Sequence, residues 1–211
     1  METIVAVASP PGGGARGIVR LSGPKALSIA RTVVRWPKGS GRSARTVTLV
    51  KPVRIPALLL VMPAPHSYTC EDVVEFHLPG SPPLLRAMVE ELCAHGARPA
   101  RPGEFTLRAF LNGRLDLAQA EAVEALISAS GDIEARAAVG QLQGTFSAPL
   151  REGVEGLMSL TADVEAAIDF VDQDIEIISV EAVRRRASEV VKTLEELLAR
   201  AAVRQVENAR P

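Results

Sequence analysis

The chain has 211 residues, of which 47% are hydrophobic, 23% are charged and 3% are aromatic. This length and apolar content allow a buried core, which excludes a disordered or collagen-like chain, and the few aromatic side chains argue against base stacking as the main binding mode. The net charge of −1 conceals an asymmetry, because residues 1–117 carry 15 Lys and Arg against 8 Asp and Glu, whereas residues 118–211 carry 9 against 17. Such a split is typical of a protein with an anionic partner, and equally of two domains that differ in composition.

The sequence contains no indication of a membrane or secreted protein. No apolar run approaches the roughly 18 residues of a membrane-spanning helix, and the N-terminus lacks the basic flank and apolar stretch of a signal peptide. Two cysteines, Cys70 and Cys93, are too few for a disulfide framework and are typical of a reducing compartment. We therefore expect a cytoplasmic protein without membrane association.

Residues 1–117 are predicted to form an α+β domain with a mixed sheet. Thirteen of the 15 prolines precede residue 103, and Pro and Gly typically separate short strands and turns. Apolar alternation and turn residues predict the element order ββαβββαα. The predicted strands are 3–8, 18–21, 47–53, 57–62 and 73–77, and the predicted helices are 24–35, 84–95 and 104–112.

Residues 118–211 are predicted to form an all-α helical-bundle segment, because Ala, Glu, Leu and Val recur there at helical spacing. Asp116 and Gln119 resemble a capping box, which predicts a helix that begins at residue 117. A second helical run, 132–170, is predicted to break or kink near 144–149. Ser179 is predicted to cap a last helix that ends near residue 206.

A glycine-rich segment at residues 12–17 matches the pattern G-x-G-x-x-G. A dinucleotide site needs a helix directly after this pattern, because the helix N-terminus holds the pyrophosphate. Residues 18–21 are predicted to be a strand, so the pattern indicates a loop between two strands and not a dinucleotide site. Such a loop can bring backbone close to a ligand or to another subunit.

Other catalytic signatures are missing from these 211 residues. No G-x-x-x-x-G-K-[ST] occurs, so we expect no nucleotide hydrolysis by a P-loop mechanism in this segment. His66, His77 and His95 lie in unrelated contexts and no Cys-x-x-Cys occurs, so we predict no metal site. Neither cysteine has a recognisable activating neighbourhood, so no nucleophile and no catalytic residue is predicted.

Three charged residues lie in or beside apolar segments. Glu75 lies within the predicted strand 73–77, Arg20 within the strand 18–21, and Arg114 just after the helix 104–112. Taken alone, Glu75 is more simply a residue on the exposed face of its strand. The functional alternative is a carboxylate that accepts two hydrogen bonds from an amidine-like edge such as that of a pterin. The two arginines are either solvated or donors to an anionic ligand.

Four segments of the chain resemble, in order, the signature segments of the tRNA modification GTPases (MnmE/TrmE). The first comprises residues 3–12 and 17–24, and the second is 64–75. The third, 101–123, is the most specific because it carries R-P-G-E-F-T followed by R-A-F-L-N-G-R-L-D-L. The fourth comprises residues 168–170 with 174–175. The resemblance therefore extends over nearly the whole chain.

The resemblance implies a division at residue 117. Residues 1–117 would form a domain similar to the folate-binding domain of the glycine-cleavage T-protein, which dimerises and binds a 5-formyltetrahydrofolate-type one-carbon donor. Residues 118–211 would be part of the family's helical domain. Carried over position by position, the family's folate contacts fall on Arg20, Glu75 and Arg114, with Glu75 on the pterin edge and the arginines as cationic donors.

The resemblance also implies partners and a reaction. With a flavin-dependent partner (MnmG/GidA), such proteins modify carbon 5 of the wobble uridine (U34) of certain tRNAs. GTP, with Mg²⁺ and K⁺, would bind in the family's GTPase domain, which lies outside these 211 residues, so the chain is either a piece of a longer protein or a short homologue. Two alternatives remain open: a dimerisation scaffold whose folate pocket has decayed, and a nucleic-acid-binding module that uses the basic first half.

Three stretches differ from the family pattern, 11–15, 69–72 with Cys70, and 77–82 with Leu78 and Pro79, and one apolar surface is expected to lack its partner helices. Cys70 and Ser81 stand where the family has glycine, which predicts a displaced or stiffer backbone where a close approach is needed. In residues 118–211, several apolar residues at helical spacing are expected to be exposed or covered by another copy of the chain. They are Val164, Ala167, Ile168, Leu194, Leu197 and Leu198.

Overall fold

The computed structural model describes residues 2–35, 45–49, 52–170 and 177–208. The chain forms two compact units, Met1–Ala120 and Glu121–Pro211. The first contains a sheet with helices and the second contains helices. The predicted fold class, an α+β domain followed by an all-α segment, is confirmed.

The first unit is built on one sheet of seven strands in the order β3-β4-β5-β6-β2-β1-β7. Neighbouring strands pair antiparallel, except that β1 and β7 run parallel, so the sheet is mixed as predicted. The strands are β1 (Ile4–Val7), β2 (Gly14–Ser22), β3 (Val34–Arg35), β4 (Arg45–Leu49), β5 (Pro56–Met62), β6 (Val73–Gly80) and β7 (Arg98–Pro99).

One face of this sheet packs against two helices, α1 (Ala26–Val33) and α2 (Pro82–Ala94). Because side chains alternate along a strand, every second residue of the central strands points into this core. The largest fully buried core side chains from the sheet include Val5, Val19, Leu21, Leu59, Val74 and Phe76. The opposite face is therefore free to carry polar side chains.

The strand boundaries differ from the predictions at several places. β2 begins at Gly14 and not at residue 18, because glycines let β2 approach β6 closely: a Cβ on Gly80 would lie 2.5 Å from the Gly14 carbonyl oxygen. β6 continues to Gly80, beyond the predicted end at 77. The predicted helix 24–35 ends at Val33, and its last two residues form β3 instead. β7 was not predicted, since two residues are too few to show an alternating pattern. Within the predicted strand 47–53, β4 ends at Leu49, residues 50–51 lie outside the described residues, and 52–53 are not strand.

Five further helices follow: α3 (Glu104–Leu111), α4 (Leu117–Ser128), α5 (Asp132–Leu142), α6 (Ser147–Asp169) and α7 (Val180–Asn208). The capping box is confirmed, because the Asp116 amide donates to Gln119 Oε1 at 3.0 Å and the Gln119 amide donates to Asp116 Oδ1 at 2.9 Å. The predicted break is confirmed between α5 and α6, where Gly144 has a φ of +85°. Ser179 Oγ accepts from the Ala182 amide, as expected for an N-cap.

In the second unit α6 and α7 pack closely where α6 carries two glycines. A Cβ on Gly153 or Gly156 would lie 3.5 or 3.8 Å from Val190, and Arg186 pairs with Asp163 beside this contact. Of the apolar residues expected to be exposed, Ile168, Leu194 and Leu198 are exposed, while Val164 and Ala167 are half-buried. The expectation is wrong for Leu197, which is buried in the helix packing.

No helix among the described residues combines the length and the apolar character that crossing a membrane requires.

Candidate functional site

Arg20 and Glu75 lie side by side on the sheet face opposite the α1/α2 core. They are cross-strand partners in the antiparallel pairing of β2 with β6, so their side chains leave the sheet on the same side. Arg20 Nε donates a hydrogen bond of 2.7 Å to Glu75 Oε1. Two of the three predicted site residues are therefore in direct contact.

Glu75 is a buried carboxylate, with 8% of the residue exposed. The simpler interpretation, a residue on a solvent-exposed strand face, is wrong. Loop and helix residues cover this side of the sheet, and the cost of burying the carboxylate is offset by the charge-assisted hydrogen bond from Arg20. Burial strengthens the interaction of this carboxylate with any other donor that reaches it.

A third member of this cluster, His77, was not identified from the sequence. His77 Nε2 lies 3.2 Å from Glu75 Oε2, the oxygen that Arg20 Nε does not contact. Its other ring nitrogen, Nδ1, is buried and has no hydrogen-bond partner among the described residues. The available signal was the spacing Glu75-x-His77, because residues i and i+2 of a strand share a face.

Two aromatic rings flank the guanidinium of Arg20. Arg20 Cζ lies 5.6 Å from the ring centroids of both Tyr68 and Phe105, within the range of cation–π attraction. Tyr68 is held in turn by a 2.9 Å hydrogen bond between its hydroxyl and Thr106 Oγ1. Within the described residues the two terminal nitrogens of Arg20 form no hydrogen bond, so they remain available as donors.

Arg114 lies at the end of the turn that follows α3. Gly113 makes this turn with a φ of +73°, and the Arg114 amide donates to the Ala109 carbonyl at 2.9 Å. Its side chain is exposed, and no hydrogen bond or ion pair joins it to Arg20 or Glu75 in the described part of the chain. The structure thus brings Arg20 and Glu75 together but does not join Arg114 to them.

The turn that carries Arg114 is nevertheless fixed to the segment that carries Tyr68. Asn112 Nδ2 donates a 2.6 Å hydrogen bond to the carbonyl of Thr69, the residue after Tyr68. A direct hydrogen bond therefore ties the turn to the segment that carries one of the rings beside Arg20. This places Arg114 at the rim of the same region of the first unit.

A buried arginine, which was not predicted from the sequence, connects the segments that lie over this face of the sheet. Arg108, 5% exposed, donates from Nη1 to both carboxylate oxygens of Glu71, at 3.1 and 2.9 Å. Its Nη2 donates to the Glu2 carbonyl and to Glu104 Oε1. Glu71 Oε2 also accepts from Ser22 Oγ of β2 at 2.7 Å. These bonds connect α3, the segment 67–72 and the sheet.

Glu104 completes this network at the start of α3. It accepts two hydrogen bonds from Arg98, at 2.7 and 3.1 Å, and one from the Arg101 amide. The Arg98 hydrogen bond in particular lowers the pKa of Glu104 to about 2, although burial acts in the opposite direction. The i, i+4 spacing of Glu104 and Arg108 on a helix was the signal from which this pair could have been predicted.

The two positions that differ from the family's glycines behave differently. Cys70 has a φ of +57°, so it adopts the left-handed conformation that glycine favours. Ser81 has φ −88° and ψ 115°, an extended conformation open to any residue. The expected displacement of backbone therefore does not occur at Ser81, and at Cys70 the turn is kept at the cost of strain.

No group of three or more His, Cys, Asp or Glu side chains in the described ranges is arranged to hold a metal ion.

Comparison with known proteins identifies the family. The family model described as "GTP-binding protein TrmE N-terminus" matches residues 3–114, and that described as "MnmE helical domain" matches residues 117–208. The chain is 44% identical over 204 residues to the tRNA modification GTPase MnmE of Legionella pneumophila (strain Paris), which covers 95% of this chain and 46% of the relative. It is 45% identical over 207 residues to the tRNA modification GTPase MnmE of a strain of Thermus thermophilus, covering 95% of this chain and 47% of the relative.

The chain spans about half the length of these curated relatives. Both matched models lie in consecutive order along it and together cover both of its units. From these matches and from the level of identity, we conclude that the chain belongs to the MnmE/TrmE family of tRNA modification GTPases.

Proposed function

We propose that the chain binds a 5-formyltetrahydrofolate-type one-carbon donor through Arg20, Glu75 and Arg114. The observation that carries this proposal is the pairing of the buried Glu75 carboxylate with the half-buried Arg20 on the sheet face, flanked by the rings of Tyr68 and Phe105. A planar ligand with N–H donors on one edge and an anionic tail matches a buried carboxylate next to cationic donors.

The donor and acceptor inventory of these residues fits such a ligand. An ionised carboxylate has about four lone-pair positions, and Glu75 uses one on each oxygen, towards Arg20 and His77. One acceptor position on each oxygen therefore remains for the adjacent N–H groups of a pterin edge. The terminal nitrogens of Arg20 would donate to ligand oxygens, and the exposed Arg114 would attract the anionic tail.

In the whole protein this cofactor would supply a one-carbon unit for modification of carbon 5 of the wobble uridine in tRNA. We further propose that the protein acts in the cytoplasm with the flavin-dependent partner MnmG/GidA, and that GTP is hydrolysed in a domain outside these 211 residues. The division into a folate-binding domain, 1–117, and a helical domain, 118–211, is part of the same proposal.

The binding proposal is tested by calorimetric titration of the purified chain with 5-formyltetrahydrofolate. Glu75→Gln keeps the size of the side chain and removes its charge, so we expect the Kd to rise about 10- to 100-fold, the worth of one to two charge-assisted hydrogen bonds. Glu90→Gln, at an exposed position of α2, is the matched control and should leave the Kd unchanged. Equal affinity of the wild type and Glu75→Gln would contradict the proposal.

The second candidate is a dimerisation scaffold that has lost its cofactor pocket. It is favoured by the observation that both Glu75 oxygens already have partners within the chain. A folded wild type that forms a dimer but binds no 5-formyltetrahydrofolate would support it.

We also propose that the first unit mediates a homodimer. Sedimentation equilibrium of the chain should then give twice the monomer mass of 22.4 kDa. A mass equal to that of the monomer at micromolar concentration would contradict both the homodimer and the scaffold.

A further inference from the structure

His77 is a half-buried polar side chain for which neither the sequence nor the family comparison supplies a role. It follows Glu75 by two residues on β6, so both side chains leave the same face of the sheet. The ring has 12% of its side-chain surface exposed, and Nε2 lies 3.2 Å from Glu75 Oε2. Because burying imidazole nitrogens without partners is costly, the contact with Glu75 offsets part of the cost of placing a histidine here.

The hydrogen bonds of the cluster indicate that Nε2 of His77 carries a proton. The Glu75 carboxylate faces the Arg20 guanidinium at 2.7 Å, and a carboxylate accepts hydrogen bonds and donates none. The contact between His77 Nε2 and Oε2 is consequently an Nε2–H donor to Glu75. The other ring nitrogen, Nδ1, has no hydrogen-bond partner among the described residues.

With Arg20 on Oε1 and His77 on Oε2, the Glu75 carboxylate is held from both oxygens. Rotation about the terminal torsion, which is otherwise broad for a carboxylate, would break one of these bonds. The free lone pairs of the two oxygens then point in fixed directions, one beside the other. A pair of acceptors fixed in this way matches a ligand edge that presents two adjacent N–H donors.

We propose that His77 is a positioning residue: through its Nε2–H it orients the Glu75 carboxylate for the N–H edge of a planar ligand. This inference rests on the proposed function, because the ligand is the folate-type cofactor. His77 acts through Glu75 and does not itself contact the ligand. The proposed binding site then includes Arg20 and Glu75, which contact the ligand, and His77, which fixes the orientation of the Glu75 carboxylate.

The first test measures binding of 5-formyltetrahydrofolate to two variants. His77→Met fills a similar volume without a donor, so we expect the Kd to rise about tenfold, which corresponds to 1.4 kcal/mol. His77→Gln retains an N–H donor near the Nε2 position, so its Kd should stay within about threefold of the wild type. His66→Met, at an exposed histidine in the same unit, is the control and should bind like the wild type. If His77→Met keeps the wild-type affinity, the positioning role is overturned while the proposed function stands.

The second test needs no ligand. The ¹⁵N chemical shifts of the His77 ring in the free full chain report which ring nitrogens carry a proton, and we expect Nε2 to be protonated. An unprotonated Nε2 overturns the inference. If the wild type binds no cofactor, the proposed function fails by titration, and this spectrum still decides the hydrogen-bonded state of His77.

Discussion

Arg108 donates from one nitrogen to both carboxylate oxygens of Glu71, at 3.1 and 2.9 Å, although the two residues are 37 positions apart in sequence. Arg108 lies on α3 and Glu71 lies in the segment that precedes β6. The ion pair therefore joins the helix that carries Phe105 to the segment that carries Tyr68. Together with the Tyr68–Thr106 and Asn112–Thr69 hydrogen bonds, it holds the two rings that flank Arg20 in place.

Replacing Arg108 should strongly destabilise the first unit. Arg108→Met leaves Glu71 and the Glu2 carbonyl without the buried guanidinium, and breaking a buried pair on one side typically costs about 3–5 kcal/mol. Urea denaturation should show a lower midpoint with an unchanged slope. Arg101→Met, at an exposed position, should change the free energy of unfolding by less than about 0.5 kcal/mol. Similar losses for both variants would contradict the structural role of Arg108.

Replacing Cys70 by glycine should stabilise the protein. Cys70 has a φ of +57°, and glycine adopts this conformation without the steric cost that a Cβ brings, although it also makes the unfolded chain more flexible. We expect Cys70→Gly to raise the free energy of unfolding by about 0.5–1 kcal/mol. Thermal denaturation measures the gain. Ser81→Gly, where the backbone is extended, should bring no gain, and a destabilised Cys70→Gly would refute the assignment of strain.

Glu104 should make stability depend on pH in the acid range. Its pKa is lowered in the folded chain to about 2, chiefly by the hydrogen bond from Arg98. A carboxyl group whose folded-state pKa is depressed contributes stability that is present above its unfolded pKa, near 4.5, and is lost as the pH falls towards about 2. In urea titrations at a series of pH values, Glu104→Gln should remove part of this decline. A pH profile parallel to that of the wild type would contradict it.

Gly80→Ala should disrupt the pairing of β2 with β6. A Cβ at this position would lie 2.5 Å from the Gly14 carbonyl oxygen and 3.0 Å from its nitrogen, and both are backbone atoms that cannot turn aside. Overpacking of this kind costs about 1–3 kcal/mol. Gly140→Ala is the control and should raise the free energy of unfolding. Gly140 lies within α5, where a Cβ would meet nothing closer than 3.7 Å, and alanine favours helix more than glycine does. Chemical denaturation of both variants tests the difference.

The elements with a clear period were predictable from sequence, and those defined by tertiary contacts were not. The neighbouring strands β5 and β6 show the alternation or apolar run that predicts a strand, whereas β3 and β7 exist only because a neighbouring strand pairs with them. The start of β2 was missed because glycines usually indicate a loop, and here they allow a close strand approach.

The same limit applies to the candidate site. Glu75 and Arg20 attract attention as charges within apolar strands, but their pairing follows from the register of β2 against β6, which the sequence does not specify. Arg108 reaches Glu71 and the Glu2 carbonyl only when distant segments fold onto one face, whereas His77 contacts Glu75 two residues away on the same strand. The family resemblance pointed to Arg20, Glu75 and Arg114 but not to His77 or Arg108. A resemblance identifies matching positions in sequence and does not show which side chains are bonded to each other.

Along β2 and β6, alternate side chains point to opposite faces of the sheet, so neighbouring residues of one strand have different roles. Val19, Val74 and Phe76 are buried in the core, while Arg20 and Glu75 form the polar cluster on the other face, so a substitution on one face leaves the other face in place. Insertion or deletion of one residue differs, because it exchanges the two faces from that point onward. A one-residue insertion or deletion in the paired part of β2 or β6 should therefore disturb the core and the polar cluster together, whereas a substitution disturbs one of them.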